Sequence, residues 1–93
     1  MTKVLNRRAL WRQNEHREHY VYRLFDAEDT LLYVGVTFMP GNRFNQHRRE
    51  KYWWDQVVRK EFEVFENRSA AREAERVAIL SEGPKHNLAW RAT

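Results

Sequence analysis

The chain has 93 residues, which is the size of a single domain with a small hydrophobic core. It contains no cysteine, so disulfide bridges and zinc-thiolate sites are excluded. No apolar run approaches the roughly 18 residues that span a bilayer, and the N-terminus lacks the apolar stretch of a secretory signal. We therefore expect a cytoplasmic protein that does not cross a membrane.

The net charge of +4 is unevenly distributed along the chain. Residues 1–19 carry five Lys or Arg against two acidic residues, and residues 41–60 carry six against two. Residues 61–87 are acidic on balance, with six Glu against four basic residues. Two basic segments of this kind are typical of a surface that contacts phosphate backbones. On charge alone, a solvated basic face without a partner is equally compatible.

The first 18 residues are polar and basic. They form either a short helix or an extended arm, ahead of a domain that covers residues 19–90. Aromatic and β-branched side chains fill residues 20–25 and 31–36, and the polar stretch 26–30 separates them. Two such runs at this spacing predict an antiparallel β-hairpin.

A turn is predicted at Pro40-Gly41, directly after the hairpin. Residues 42–60 then have a helical pattern with a break near 52–54. A short strand is expected at 61–65, where apolar and charged residues alternate. The middle of the chain therefore predicts one or two helical pieces followed by a strand.

The last predicted element is a helix over residues 69–81. Ser69 is a candidate N-cap, and Gly83-Pro84 matches the usual end of a helix. The complete order is β-β-α-α-β-α, with an additional helix in front if the first segment is helical. The fold class is therefore α+β, and the simplest architecture is a three-stranded antiparallel sheet flanked by helices.

Glu75 is the most informative single residue of the predicted final helix. Its neighbours one turn away are Ala71 and Ile79, so the carboxylate lies on the apolar stripe. A carboxylate there needs a cation partner or a protonated state. One interpretation is a glutamate at the edge of the stripe that extends to water or pairs with Arg72 or Arg76. The other is a ligand for a divalent ion such as Mg²⁺, which prefers oxygen donors.

Arg43 and His47 are four residues apart, hence on one face of the predicted helix. Arginine presents a fork of donors suited to phosphate, and histidine can relay a proton or donate to a phosphate oxygen. The basic run continues with Arg48, Arg49 and Lys51, which are candidates for contacts with a nucleic-acid backbone. The alternative is an exposed basic helix that contains an incidental histidine.

Tyr22 and Tyr33 lie on the two strands of the predicted hairpin, and Gly35 is on the same strand face as Tyr33. A glycine inside a strand often marks the close approach of another backbone or a ligand. The tyrosines either belong to the core or orient an attacking water. Trp53 and Trp54 are either core residues or a base-stacking platform. They are adjacent and cannot share one helix face, so at least one is expected to be partly exposed.

Five elements together resemble the GIY-YIG nuclease domain in order and spacing. They are the tripeptides Tyr20-Val21-Tyr22 and Tyr33-Val34-Gly35, the pair Arg43 and His47, then Glu75, and Asn87. The first tripeptide has Tyr20 where the family has glycine, a departure that bears on packing of the first strand and on access to the site. The resemblance covers residues 19–88.

The resemblance implies a three-stranded antiparallel sheet flanked by helices and a metal-dependent endonuclease that hydrolyses DNA phosphodiester bonds with Mg²⁺ or Mn²⁺. Enzymes of this kind are carried by phages and mobile elements. The alternative is a nucleic-acid-binding or structural domain that keeps the fold without cutting. A third interpretation is an RNA nuclease, which differs only in its substrate. A chain of this size has little surface for recognising a DNA sequence, so a protein partner or self-association would supply specificity.

The resemblance also implies a role for each matched residue. Glu75 binds the metal, and Arg43 stabilises charge on the transition state. Tyr22 and Tyr33 position or activate the water, with the choice of general base left open. His47 contacts a substrate phosphate or relays a proton. The site is supported by Gly35 and Asn87.

Overall fold

The computed structural model describes residues 15–87. Most of the segment for which a helix or arm was predicted, residues 1–18, and the end of the predicted domain at 88–90 therefore lie outside the described residues. Between residues 15 and 87, no helix is both long and apolar enough to cross a membrane.

Three antiparallel strands form the sheet: β1 (His19–Phe25), β2 (Leu31–Thr37) and β3 (Arg59–Phe65). Their order is β2-β1-β3, so β1 is central and pairs with both neighbours. The hairpin that the sequence predicts joins β1 to β2. Asp26 holds its loop, because the Asp26 carboxylate accepts hydrogen bonds from the backbone N–H groups of Glu28 and Thr30.

Within residues 15–87, two α-helices pack on this sheet: α1 (Pro40–Glu50) follows β2, and α2 (Arg68–Glu82) follows β3. Pro40 occupies the first turn of α1, where its missing N–H leaves no hydrogen bond unmade. The observed order confirms the predicted α+β class, with a short 3₁₀ turn, Trp54–Gln56, in place of the second predicted helix.

The prediction that helical structure continues as far as residue 60 is wrong, because α1 ends at Glu50. Lys51 is extended and donates its backbone N–H to His47, which ends α1. The backbone N–H of Val58 then donates to Phe25, so the chain has already joined the sheet and β3 begins at Arg59. Two consecutive β-branched residues just before this point favour the extended conformation over helix.

The prediction of Ser69 as N-cap of the last helix is also wrong. Asn67 is the N-cap, because its side-chain oxygen accepts from the backbone N–H of Ala70. Ser69 lies inside the first turn, where its N–H and hydroxyl both donate to the carboxylate of Glu15. At the other end, Gly83 adopts the left-handed conformation (φ 61°), as the sequence predicts for this C-cap.

Hydrophobic residues pack on both faces of the sheet, because α2 covers one face and α1 with the 3₁₀ turn covers the other. On the α2 side the buried residues are Val21, Val34, Ala71, Ala78 and Ile79. On the α1 side they are Tyr22, Leu24, Leu32 and Trp53. Trp53 is therefore a core residue while Trp54 is partly exposed, in agreement with the expectation for this pair.

Candidate active site

Tyr22 and Gly35 face each other across the β1–β2 ladder. Tyr22 is completely buried, and a Cβ at position 35 would come within 3.0 Å of three atoms of its ring and hydroxyl. The aromatic ring therefore lies across the backbone of Gly35, in space that any other residue would fill. The sequence predicts a close approach at this glycine, and the group that approaches it is a neighbouring side chain.

Helix α1 brings two polar side chains to the hydroxyl of Tyr22. His47 is buried, and its Nε2 atom lies 2.7 Å from Tyr22 Oη. The guanidinium of Arg43, one turn earlier, lies close enough to Tyr22 to oppose the rise in its pKa. Arg43 is fixed from its other side by Gln46, whose side-chain oxygen accepts from Arg43 Nη1 at 3.0 Å. The spacing of four residues thus places Arg43 and His47 on the face of α1 that meets the hairpin.

The proton on Tyr22 is directed toward His47. Burial raises the pKa of Tyr22, and the neighbouring Tyr33 adds to this, so the phenol is protonated at neutral pH. Burial, followed by the positive charges of Arg43 and Lys51, lowers the pKa of His47 to about 4, so the imidazole is neutral. Because a guanidinium accepts no proton and the neutral imidazole does, the phenol donates its proton to His47 Nε2. That tautomer places the imidazole proton on Nδ1, which is buried and has no hydrogen-bond partner among the described residues.

Tyr33 completes the aromatic side of the cluster. Its ring centroid is 6.1 Å from that of Tyr22 and 5.0 Å from that of His47. Burial raises the pKa of Tyr33, the positive charge of Arg43 opposes the rise, and the negative charge of Glu75 adds to it. The two tyrosines, the arginine and the histidine therefore share one electrostatic environment.

Helix α2 contributes Glu75 from the opposite face of the sheet. Its side chain is only 12% exposed, and its nearest ion-pair contact is Arg72 Nε at 3.6 Å. Burial raises the pKa of Glu75, while the charges of Arg72, Arg43 and Arg68 oppose the rise. Since Arg72 is itself half exposed and the contact is long, this pair leaves the carboxylate available to another cation.

The remaining residues singled out in the sequence lie around this cluster. Asn87 is buried and pairs with β2 through its side chain: Oδ1 accepts from the backbone N–H of Val34, and Nδ2 donates to the carbonyl of the same residue. It thus continues the strand ladder from a side-chain amide. Lys51 is close enough to influence His47, whereas Arg48 and Arg49 are exposed on α1 outside the cluster.

One supporting contact has little signal in the sequence. The rings of Trp53 and His86 are stacked in parallel, with centroids 4.7 Å apart and an angle of 3°. Trp53 also packs on Tyr33, with ring centroids 5.5 Å apart, so the stack of Trp53 and His86 supports the Tyr33 ring. The only sequence signal is that His86 directly precedes Asn87, whose pairing with β2 fixes the position of the segment.

Comparison with known proteins agrees with this geometry. The model of the GIY-YIG catalytic domain matches residues 18–87, which is most of the chain. The chain therefore belongs to the GIY-YIG family, whose domains are generally endonucleases and usually use a divalent metal ion. No curated protein and no solved structure gives a significant match.

The residues of this site fit a hard divalent ion. The donors of Tyr22, Tyr33 and Glu75 are oxygen atoms. Among the described residues, Glu75 is the carboxylate whose charge acts on both tyrosines, while Glu50 at the end of α1 acts on Arg43 and His47. No group of three or more His, Cys, Asp or Glu residues that could hold a metal occurs within residues 15–87. A single carboxylate with a substrate phosphate suits Mg²⁺ or Mn²⁺, which keep several water ligands.

Proposed function

We propose that this chain is an endonuclease that hydrolyses phosphodiester bonds of DNA with Mg²⁺ or Mn²⁺. The observation that carries the proposal is the convergence of side chains from four elements. Tyr22 from β1 hydrogen-bonds to His47 from α1, and the ring of Tyr33 from β2 packs against both. The charge of Glu75 from α2 acts on the pKa of both tyrosines. Burying a carboxylate and an arginine together with two phenols costs stability. Clusters of titratable groups with perturbed pKa values are typical of functional sites.

Arg43 is the group that would hold the scissile phosphate. It is partly buried, and its Nε atom has no hydrogen-bond partner within residues 15–87 although it is enclosed. Its Nη1 atom is already fixed by Gln46. A guanidinium that is oriented in advance and retains an unused donor can stabilise the charge that develops on the phosphate oxygens during attack.

The metal ion, when bound to Glu75, would neutralise phosphate charge and lower the pKa of a coordinated water. This role for Glu75 is supported by its burial and by the length, 3.6 Å, of its ion pair with Arg72. A carboxylate in such surroundings gains more from a divalent cation than an exposed one does, because less water competes for it.

The hydrogen bond between Tyr22 and His47 supports Tyr22 as the acceptor of the water proton. As Tyr22 Oη takes a proton from the attacking water, its own proton passes to His47 Nε2, 2.7 Å away. His47, which already carries a proton on Nδ1, then holds one proton on each ring nitrogen. The negative phosphate favours this protonated form, since an opposite charge raises the pKa of an imidazole. Tyr33 would orient the same water from the β2 side.

The test is nicking of supercoiled plasmid by the purified chain with Mg²⁺, with Mn²⁺ or with EDTA. Glu75→Gln is the decisive variant, because it keeps the shape of the side chain and removes the charge. Glu73→Gln is the matched control, since Glu73 lies on the same helix and is exposed, with an ion pair to Arg76. Cleavage by wild type and control that EDTA and Glu75→Gln abolish supports the proposal.

Equal cleavage by all three proteins would mean a contaminating nuclease and would end the proposal. Binding of plasmid without any cleavage under either metal would instead identify a non-cutting nucleic-acid-binding domain. An RNA of the same sequence, tested in parallel, decides between the two polymers.

A further inference from the structure

An aromatic surface with two cations adjoins the candidate active site on the side of β3. Its members are Tyr20, Phe44, Trp54, Phe62, Val64, Lys60 and Arg48, and we call it the aromatic platform. Phe62 is 46% exposed and Val64 55% exposed. Large apolar side chains in this position on an edge strand favour aggregation unless something covers them, and a contiguous exposed apolar patch usually marks a binding surface.

The platform is continuous with the catalytic cluster through ring contacts. Phe44 packs edge-on against Tyr22, with centroids 5.3 Å apart, and contacts Phe62 at 5.9 Å. Tyr20 packs edge-on against Phe62 at 6.3 Å. Trp54 lies 6.1 Å from His47 and nearly parallel to it. A nucleic-acid strand that lies on the platform would therefore extend to the active site, because Phe44 of the platform contacts Tyr22 of the site.

Charges on β3 are sorted by strand face. Lys60, Phe62 and Val64 alternate with Glu61 and Glu63, so the acidic residues point to the opposite face of the sheet. Glu63 is paired there with Arg23. The platform face of β3 thus offers a lysine and apolar groups without a carboxylate, which favours a polyanion as the ligand.

Cations and rings are combined on the platform in the manner suited to nucleotides. Lys60 Nζ lies 5.6 Å from the ring centroids of both Phe44 and Trp54. Arg48 is four residues beyond Phe44 on α1 and is exposed on the same side of the helix. Aromatic faces stack with bases, while lysine and arginine contact the phosphates that link them.

We infer that the aromatic platform binds unpaired bases of the DNA substrate, so that the preferred substrate has a single-stranded segment next to the cleavage point. This inference rests on the proposed endonuclease function for its biological meaning. Bases in a duplex present their faces to one another, and only unpaired bases can stack on protein side chains. Tyr20 belongs to this surface, and it stands where the GIY-YIG motif has a glycine with no ring to offer.

The experiment measures binding in EDTA, where cleavage does not interfere. Fluorescence anisotropy compares the full chain with oligothymidylate, with an abasic strand of equal length and with a duplex. Wild type should bind oligothymidylate about tenfold more tightly than the abasic strand, which has the same phosphates. Phe62→Ala should lose most of that difference. Lys60→Ala should weaken binding to both strands alike and reduce the salt dependence by about one counterion.

Three further measurements make the result specific. Trp54→Phe should keep the affinity and lose the quenching of tryptophan fluorescence on binding. Leu80→Ala, an exposed apolar residue (61%) on the outer face of α2, should match wild type. If Phe62→Ala is unfolded in a thermal melt, Phe62→Leu replaces it, since leucine keeps apolar volume and lacks a stacking face.

Equal affinity of wild type for oligothymidylate and the abasic strand overturns the inference. A platform that instead binds protein would give sedimentation of wild type as a dimer that Phe62→Ala dissociates, with oligonucleotide affinity unchanged, and this also overturns it. Tighter binding of oligouridylate than of oligothymidylate overturns the choice of DNA. Failure to nick plasmid refutes the proposed function alone, because the binding measurement needs no cleavage.

Discussion

The ring of Tyr22 occupies the space beside Gly35 that a side chain would fill, and this contact sets the position of the phenol hydroxyl. From there the hydroxyl reaches His47 Nε2 at 2.7 Å and the guanidinium of Arg43. Gly35 therefore affects the site through Tyr22 and not by contact with a substrate. It determines where the tyrosine can lie, and the tyrosine in turn meets the two polar groups of α1.

Gly35→Ala should displace the Tyr22 ring and break its hydrogen bond with His47. A new methyl group in a packed site costs about 1–3 kcal/mol of unfolding free energy. We expect a loss of this size by chemical denaturation and a larger proportional loss of nicking activity. Gly41→Ala is the control, because a Cβ there meets nothing within 4 Å and alanine favours the first turn of a helix. Unchanged activity of Gly35→Ala would show that the position of Tyr22 does not matter.

Glu75→Gln should abolish nicking without weakening the fold. The pKa of Glu75 is raised by burial, so its charged form is disfavoured in the folded state at neutral pH. A group of this kind stabilises the fold only below its unfolded pKa and loses that contribution as the pH rises. Removing the charge at pH 7 should therefore leave the unfolding free energy unchanged or raise it slightly.

The same pair of proteins tests the metal site without any cleavage. Mg²⁺ that binds the folded state alone raises the melting temperature as its concentration passes the dissociation constant. Wild type and Glu73→Gln should show this rise in differential scanning fluorimetry, and Glu75→Gln should not. A rise of equal size in all three proteins would place the ion elsewhere.

Arg43→Ala should reduce the rate of cleavage by about 10²–10³, the usual effect of removing one donor to a developing negative charge. Arg43→Lys should not restore activity, because lysine lacks the fork that contacts Gln46 and phosphate at once. Arg49→Ala, on the exposed side of α1, should weaken DNA binding slightly and leave the single-turnover rate unchanged. Single-turnover kinetics on labelled DNA separate the two effects; equal rates for Arg43→Ala and wild type would contradict the assignment.

Local periodicity was enough to group several of these residues. Strand alternation places Tyr33 and Gly35 on one face, and helical spacing pairs Arg43 with His47 and puts Glu75 on the apolar stripe. Each of these inferences depends on residues within four positions of one another. The structure agrees with all of them because regular elements carry such patterns directly.

Contacts between distant parts of the chain could not be obtained in this way. The hydrogen bond of Tyr22 with His47 joins residues 25 positions apart and depends on how α1 packs on the hairpin. The pairing of Tyr22 with Gly35 depends on a register that shifts between Leu24 and Phe25. A shift by one residue would have turned one partner to the opposite face. Sequence therefore indicates which side chains are candidates, and packing decides which of them meet.

His47 should make the stability of the fold depend on pH between about 4 and 6.5. Its pKa is lowered to about 4 in the folded chain from an ordinary value of 6.5, chiefly because the imidazole is buried. Within that interval His47 binds a proton in the unfolded chain and not in the folded chain, so the unfolding free energy falls as the pH is lowered. The slope contributed by this one group is at most about 1.4 kcal/mol per pH unit.

His47→Gln isolates this contribution, since glutamine can still hydrogen-bond to Tyr22 and does not titrate. Urea unfolding of both proteins across the interval gives two stability curves, and their difference cancels every other titrating group. The advantage of wild type over the variant should be greatest near pH 7 and shrink steadily toward pH 4. A difference that stays constant over the whole interval would mean that burial does not lower the pKa of His47.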